Sequence, residues 1–411
     1  MSKSVTTHST IDHLFRHEYA KLVSYLTAKF GGANIDSIED AVQDSLYKAM
    51  QLWSYQDLPP NPGKWLYRTA HNALIDKLRR SAKSVEYDPN NSPIDEAELE
   101  IEMEEGIEDE QLKMIFACCH PSMKEHEQIM LSLKLLCGFN NLEIAKALFK
   151  APEAVKKAIT RAKQKFKVEI GHLEMPSDLE LSQRLNVVLK VLYLIFNNGY
   201  SAYDGDEVLK RDVCEDAIRL AGLLYHHPAS SRPETKALLA IMCFNFSRFN
   251  ARTNDAGRLL TMAEQDWSKR DTELIRLGIR FLEESADGNN ATNYHFEAGI
   301  GFEYAIAKNF NSIDWKSILN IYDALVASYY SPTVALNRLV VLEKVKGPAQ
   351  ALKELENLNE PTLLTNHLYY AIKGEFEQNL NLKSYKETLQ QAIDLTANQR
   401  EKEFLRQKLQ S

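Results

Sequence analysis

No apolar run in the sequence is long enough to cross a bilayer. The most hydrophobic stretch, LNVVLKVLYLIF at 185–196, is short and is interrupted by Lys190. The first residues, MSKSVTTHSTIDHLF, lack the apolar segment of an export signal, so secretion is not expected. There are five cysteines, spread from Cys118 to Cys243, which is no disulfide framework and suits a reducing, cytoplasmic setting. Strand-type alternation is nearly absent. A phosphate-binding loop and a nucleophile elbow are missing, and Gly299-Ile300-Gly301 lacks the third glycine and preceding strand of a dinucleotide fingerprint. That glycine pair is expected to permit close helix packing instead. Neither an enzymatic activity nor a cofactor is expected.

Metal sites fare no better. Cys118, Cys119 and His120, with His126 nearby, are the strongest candidates. Adjacent helical residues point in different directions, however, and one tetrahedral zinc cannot readily take them all, so buried structural cysteines are expected. His13 and His17 stand four apart beside Glu18, but the zinc-protease pattern then needs a histidine where Lys21 stands. His226 and His227 fall at an expected helix end, where they favour the helix dipole.

What the chain does have is helical periodicity and an uneven charge. Its 411 residues allow two to four domains, and 44% hydrophobic with 26% charged content is ordinary for a globular protein. The formal net charge of −8 hides three blocks. Residues 1–82 carry 10 Lys/Arg against 8 Asp/Glu, residues 83–112 carry 1 against 12, and residues 113–170 carry 11 against 5. Two basic blocks are thus separated by an acidic one.

In the first block, apolar residues from Ile11 to Phe30 recur at helical spacing until Gly31-Gly32 ends the pattern. A second helix is expected over about 35–53, with an acidic first half suited to a helix N-terminus. The loop SYQDLPPNPG at 54–63 is followed by KWLYRTAHNALIDKLRR at 64–80, which holds five Lys/Arg and one acid, with Trp65 and Tyr67 at its head. Aromatics beside cations are what unstacked single-stranded bases require. Residues 83–107, dense in acids and broken by prolines, read as a flexible, self-repelling linker.

Helices resume near 108–118, 124–137, 141–148 and 152–169. NLEIAKALF places Ala145 where a tight helix-turn-helix crossing needs a small side chain. AVKKAITRAKQKFK turns Val155 and Ile159 inward, and residues 150–167 hold seven Lys/Arg against Glu153 alone. Such a helix suits the major groove, with flanking lysines on phosphates. After a break at 171–178 the chain continues as helices of about 12–16 residues, and two stretches near the C-terminus read as helical hairpins of tetratricopeptide type.

Together, IEDAVQDSLYKAMQLW, PGKWLYRTAHNALIDKLRR and LEIAKALFKAPEAVKKAITRAKQKF make the N-terminal 170 residues resemble an RNA polymerase sigma factor of the sigma-70 family, extracytoplasmic-function type. FACCHPSM and YLIFNNGYSA resemble the subset with a C-terminal tetratricopeptide-like extension. The turn departs from the family's pattern, with Phe149-Lys150 in place of its usual glycine.

The resemblance implies an all-α protein with region 2 at 1–82, a linker at 83–107, a region 4 helix-turn-helix at 108–170 and a regulatory helical domain at 171–411. Trp65, Arg68, Asn72, Lys77, Arg79 and Arg80 would meet the −10 element, and Glu153, Lys156, Lys157, Arg161 and Lys163 the −35 element. Asp40, Gln43 and Asp44 would dock on polymerase. The implied partners are core RNA polymerase, through its clamp helices and flap, and promoter DNA, both duplex and melted. A regulatory protein on the C-terminal helices is allowed, and no membrane partner is implied. Two other classes remain: a conventional helix-turn-helix regulator that senses a ligand or peptide, and a helical-repeat adaptor whose basic helices are merely solvated.

Overall fold

A computed structural model of the chain describes residues 18–55, 58–81, 109–148, 150–200, 210–254, 258, 260–287, 290–358, 360–396 and 399–410. The linker expected over 83–107, the start of the first helix with His13 and His17, and Phe149 lie outside these residues. The described residues form eighteen α-helices and no strand, so the fold is all-α. None of these helices is long and apolar enough to cross a membrane. The chain divides into two compact units, one up to Thr235 and one from Lys236 onward.

The first unit starts with a bundle of three helices: α1 over 18–30, α2 over Ile35–Trp53 and α3 over Pro62–Ser81. Pro62 begins α3 because a first-turn N–H needs no partner, and Asn61 Oδ1 accepts from the Lys64 amide at 3.0 Å. Leu22, Val23 and Leu26 of α1, Ile35, Ile38 and Val42 of α2, and Leu66, Tyr67 and Leu74 of α3 are all buried. Each such aliphatic contributes about 1.5–3 kcal/mol by leaving water. Tyr25 meets Tyr67 edge-on at 5.1 Å between ring centroids, and Phe30 meets His71 at 5.5 Å. Burial, then the nearby Lys29, holds the His71 imidazole below its usual pKa.

Four helices follow: α4 over 109–118, α5 over Glu125–Cys137, α6 over Asn141–Ala147 and α7 over Pro152–Glu169. Gly138, at φ +66°, ends α5 in the left-handed conformation that glycine adopts without strain. Asn140 Oδ1 accepts from the Leu142 and Glu143 amides while Glu143 Oε2 accepts from the Asn140 amide, which is a reciprocal cap on α6. Ala145, Val155 and Ile159 are all buried, on the inner side of the turn between α6 and α7.

The backbone joins this group to the bundle. Gly32 N donates to Gly171 O at 3.2 Å, and a Cβ on Gly32 would stand 2.2 Å from Ile170 O.

Two further helices, α8 over Asp178–Tyr200 and α9 over Arg211–His226, complete the first unit. Val188, Leu192 and Ile195 of α8 and Ala217, Leu220 and Leu224 of α9 are buried, and Arg219 Nη1 donates to Gln111 Oε1 of α4 at 2.8 Å. Lys190 of α8 pairs with Glu125 of α5. The break at 171–178 therefore separates helices without separating compact units.

The second unit holds most of α10 over Pro233–Ser247, then α11 over Thr272–Ser285, α12 over Asn293–Ile306, α13 over Trp315–Ser328, α14 over Pro332–Lys346 and α15 over Pro348–Glu356. It ends with α16 over His367–Asn379, α17 over Tyr385–Leu395 and α18 over Gln399–Gln410. From α11 onward consecutive helices pack against each other. Asp271, Asp314, Ser331 and Asn366 each accept from amides of the first turn that follows, a cap contributing about 1 kcal/mol. Gly301 permits the close packing expected of its glycine pair, since a Cβ there would sit 3.2 Å from Phe244.

Candidate nucleic-acid and polymerase interface

Helix α3 sorts its residues by face. Leu66, Tyr67, Ala70, His71 and Leu74 point into the bundle, while Arg68, Asn72, Arg79 and Arg80 are exposed. Arg68, Asn72 and Arg79 follow half-buried Trp65 at spacings of three, four and seven and so line one side of the helix, with Arg80 next to Arg79 at its end. The Trp65 ring lies 5.4 Å from that of Trp53, at 57°. Tyr55, in the loop between α2 and α3, is 92% exposed, and Tyr47, Met50 and Leu58 are exposed with it. Sequence reasoning missed this apolar group, although aromatic residues flanking a polar, proline-rich loop were a signal that could have found it.

Lys77 does not share that face. It turns toward α2 and pairs with Asp40 at 3.4 Å and Asp44 at 3.3 Å, two of the residues assigned to polymerase docking. Asp40, Gln43 and Asp44 are exposed on α2.

The basic residues of α7 also divide. Glu153, Lys156, Lys157 and Arg161 are exposed, with Val155, Ala158, Ile159 and Ala162 buried beneath them. Arg161 comes within 3.7 Å of Glu127 of α5, whose carboxylate accepts from Lys165 Nζ at 2.7 Å. Burial would raise the Glu127 pKa, but Lys165 and the Lys124 amide outweigh it and hold it below the usual value.

Lys163 reaches across to α2, where it pairs with Asp36 at 3.0 Å and also with Glu39, and Lys167 pairs with Asp36. Glu39 is 3% exposed; its Oε1 accepts from Tyr19 Oη at 2.8 Å and lies 3.9 Å from Lys134 Nζ. Burial alone would lower the Lys163 pKa, yet Glu39 and Asp36 together hold it above its usual value. Burial likewise pushes Asp36 up, and Lys167 and Lys163 more than reverse this. Asp36, Glu39 and Lys167 were not singled out from the sequence, because spacing gives a helix's face and not what lies across from it.

Cys118 and Cys119 are fully buried, whereas His126 is exposed. Burial pushes the Cys119 thiol up to about 12 and Cys118 well above its usual value. Among the described residues no three His, Cys, Asp or Glu side chains are grouped to hold a metal ion.

Sigma-70 region 2 matches residues 14–84, and a family of unknown function (DUF6596) matches residues 184–286. No solved structure matches the chain. Uncharacterized protein R00370 of Rhizobium meliloti (strain 1021) is 30% identical over 384 residues, spanning 92% of this chain and 90% of that protein. The chain therefore shares a family with the Rhizobium protein, and residues 14–84 form a sigma-70 region 2, the domain through which sigma-70 factors bind RNA polymerase and promoter DNA.

Proposed function

We propose that the protein is a promoter-specific sigma factor of the extracytoplasmic-function type that reads both a −10 and a −35 element. The observation that carries this reading is the exposed face of α3, where Arg68, Asn72, Arg79 and Arg80 run from the Trp53–Trp65 pair. Bases of an opening promoter strand stack on Trp65 and the neighbouring Tyr55, while the arginines take the phosphates. Asp40, Gln43 and Asp44 of α2 dock on the polymerase clamp. The exposed half of α7, with Glu153, Lys156, Lys157 and Arg161, enters the −35 major groove. Lys77 and Lys163 join these contacts once their carboxylate partners are exchanged for phosphates. The helices of the second unit form a tetratricopeptide-like array that modulates activity, a reading supported by their sequential hairpin packing.

The test is transcription in vitro by sigma-free core polymerase, supplemented with the full-length protein and genomic promoter fragments. Specific transcripts are expected, and the combined substitution Lys156→Glu, Lys157→Glu should abolish those that depend on a −35 element. Binding to duplex DNA without any binding to core polymerase would instead identify a conventional helix-turn-helix regulator.

A further inference from the structure

Helix α7 uses its charges unevenly. From its third turn onward the cations are engaged: Arg161 and Lys165 with Glu127, Lys163 with Asp36 and Glu39, and Lys167 with Asp36. The first two turns differ. Glu153, Lys156 and Lys157 are exposed, and among the described residues no side chain pairs with any of them. Glu153 and Lys157 even stand four apart in the order that favours an ion pair along a helix, yet they form none.

The free end of α7 is therefore its N-terminal end, the end that a recognition helix turns toward base edges. Pro152 opens the helix, and the residues beside Glu153, Pro152 and Ala154, carry no charge and little bulk. The Glu153 carboxylate can thus approach the floor of a groove. A carboxylate is nevertheless an odd group to present to DNA, because phosphates repel it and no cation of the described residues offsets its charge. The dipole at the start of α7 also favours an acid, but that role is the same on every DNA sequence.

Two amino groups in the major groove can donate to a carboxylate, N4 of cytosine and N6 of adenine. Adenine places its N7 acceptor next to the amino group, where it repels the second carboxylate oxygen. The cytosine edge carries the donor alone.

We propose that Glu153 reads a cytosine in the −35 element by accepting a hydrogen bond from its N4 amino group, while Lys156 and Lys157 hold phosphates on the flanks. The proposal rests on the promoter reading above and adds the base on which that reading depends. It makes Glu153 a specificity-determining residue, which weakens binding to wrong sequences and strengthens it on the right one.

The test starts from a promoter fragment that the full-length protein and core polymerase transcribe. Its −35 element is randomised, and each template carries a transcribed barcode. The parent protein, Glu153→Gln and Glu153→Ala are compared. The parent should return one position fixed as a C·G pair. Glu153→Gln should change that position to A·T, since an amide donates to adenine N7 and accepts from N6, and should leave the other positions alone. Glu153→Ala should accept any base there, with discrimination falling about five- to 150-fold. Fluorescent duplexes without polymerase give a second readout. Glu153→Ala should bind the parent's element more weakly and an unrelated duplex more tightly, because the repulsion by phosphates leaves with the carboxylate.

A parent element with no fixed C·G pair, or the same element returned by all three proteins, would overturn the proposal. So would a loss in either variant that is equal on every sequence, the mark of a structural or dipole role. If the parent neither transcribes any fragment nor binds core polymerase, the promoter reading itself fails, and the base readout fails with it.

Discussion

Trp53 and Trp65 come from consecutive helices and meet at 5.4 Å across the loop that joins them. Trp65 is therefore held at the head of a basic helix face by another ring, not by the core, and is half-buried instead of sealed. A ring placed this way can exchange its partner for a base.

Trp65→Ala should lower open-promoter formation about tenfold or more, as expected for losing one base stack of about 1–3 kcal/mol. Permanganate footprinting on a promoter would show the loss of reactive thymines, while binding to core polymerase stays unchanged. Trp53→Ala should have a smaller effect, because it removes the support and leaves the platform.

The anchored carboxylate gives a stability prediction. Glu39→Ala leaves Lys134 and Lys163 facing a vacated, buried site and should destabilise the first unit by about 3–5 kcal/mol. Tyr19→Phe removes one hydrogen bond to a charged acceptor and should cost about 1.5–3 kcal/mol. Urea unfolding of a chain ended after Thr235, which holds Trp53 and Trp65 and lacks Trp267 and Trp315, reports on this unit by tryptophan fluorescence.

The seam between α2 and α7 should ignore pH over the physiological range and respond to salt. Asp36 is held below its usual 3.8, so its contribution is present above that value and lost as pH falls through the lowered one. Lys163 is held above its usual 10.5, so its contribution is complete below that value and lost as pH rises through the raised one. Between about pH 5 and 9 neither group titrates. Dyes attached to Tyr55→Cys and Val168→Cys, positions 92% and 81% exposed, should keep a constant separation there and move apart as salt screens the exposed pairs.

A chain ended after residue 170 should be a poor stand-in for the intact first unit. It loses α8 and α9, including the Arg219–Gln111 hydrogen bond and the Lys190–Glu125 pair that hold them to α4 and α5. A chain ended after Thr235 should keep a cooperative unfolding transition and resist limited proteolysis, whereas the shorter one should be cleaved faster and bind a hydrophobic dye.

Most of the helices were legible because each depends on local pattern. Apolar spacing marked α2, α3 and α7, and Pro62 and Gly138 sit at helix ends for reasons that a one-dimensional reading captures. Burial of Ala145, Val155 and Ile159 followed from the same spacing. The pairings of Lys77 with Asp40 and Asp44, and of Lys163 with Asp36 and Glu39, were not legible. They join charges that are distant or uninformative in sequence, and two lysines with the same neighbours can face solvent or a carboxylate. The reach of the first unit to Thr235 was hidden for a related reason: a polar break at 171–178 reads as a boundary, although the apolar face of α8 folds back across it.

The contact of Gly31 and Gly32 with Ile170 and Gly171 brings in volume beside charge. A single methyl group at residue 32 would collide with the Ile170 carbonyl, and no rotamer can relieve it, because that oxygen belongs to the backbone. Gly32→Ala should therefore loosen the hold of α7 on the bundle by volume alone. That effect would persist at salt concentrations where the ion pairs of the seam are screened.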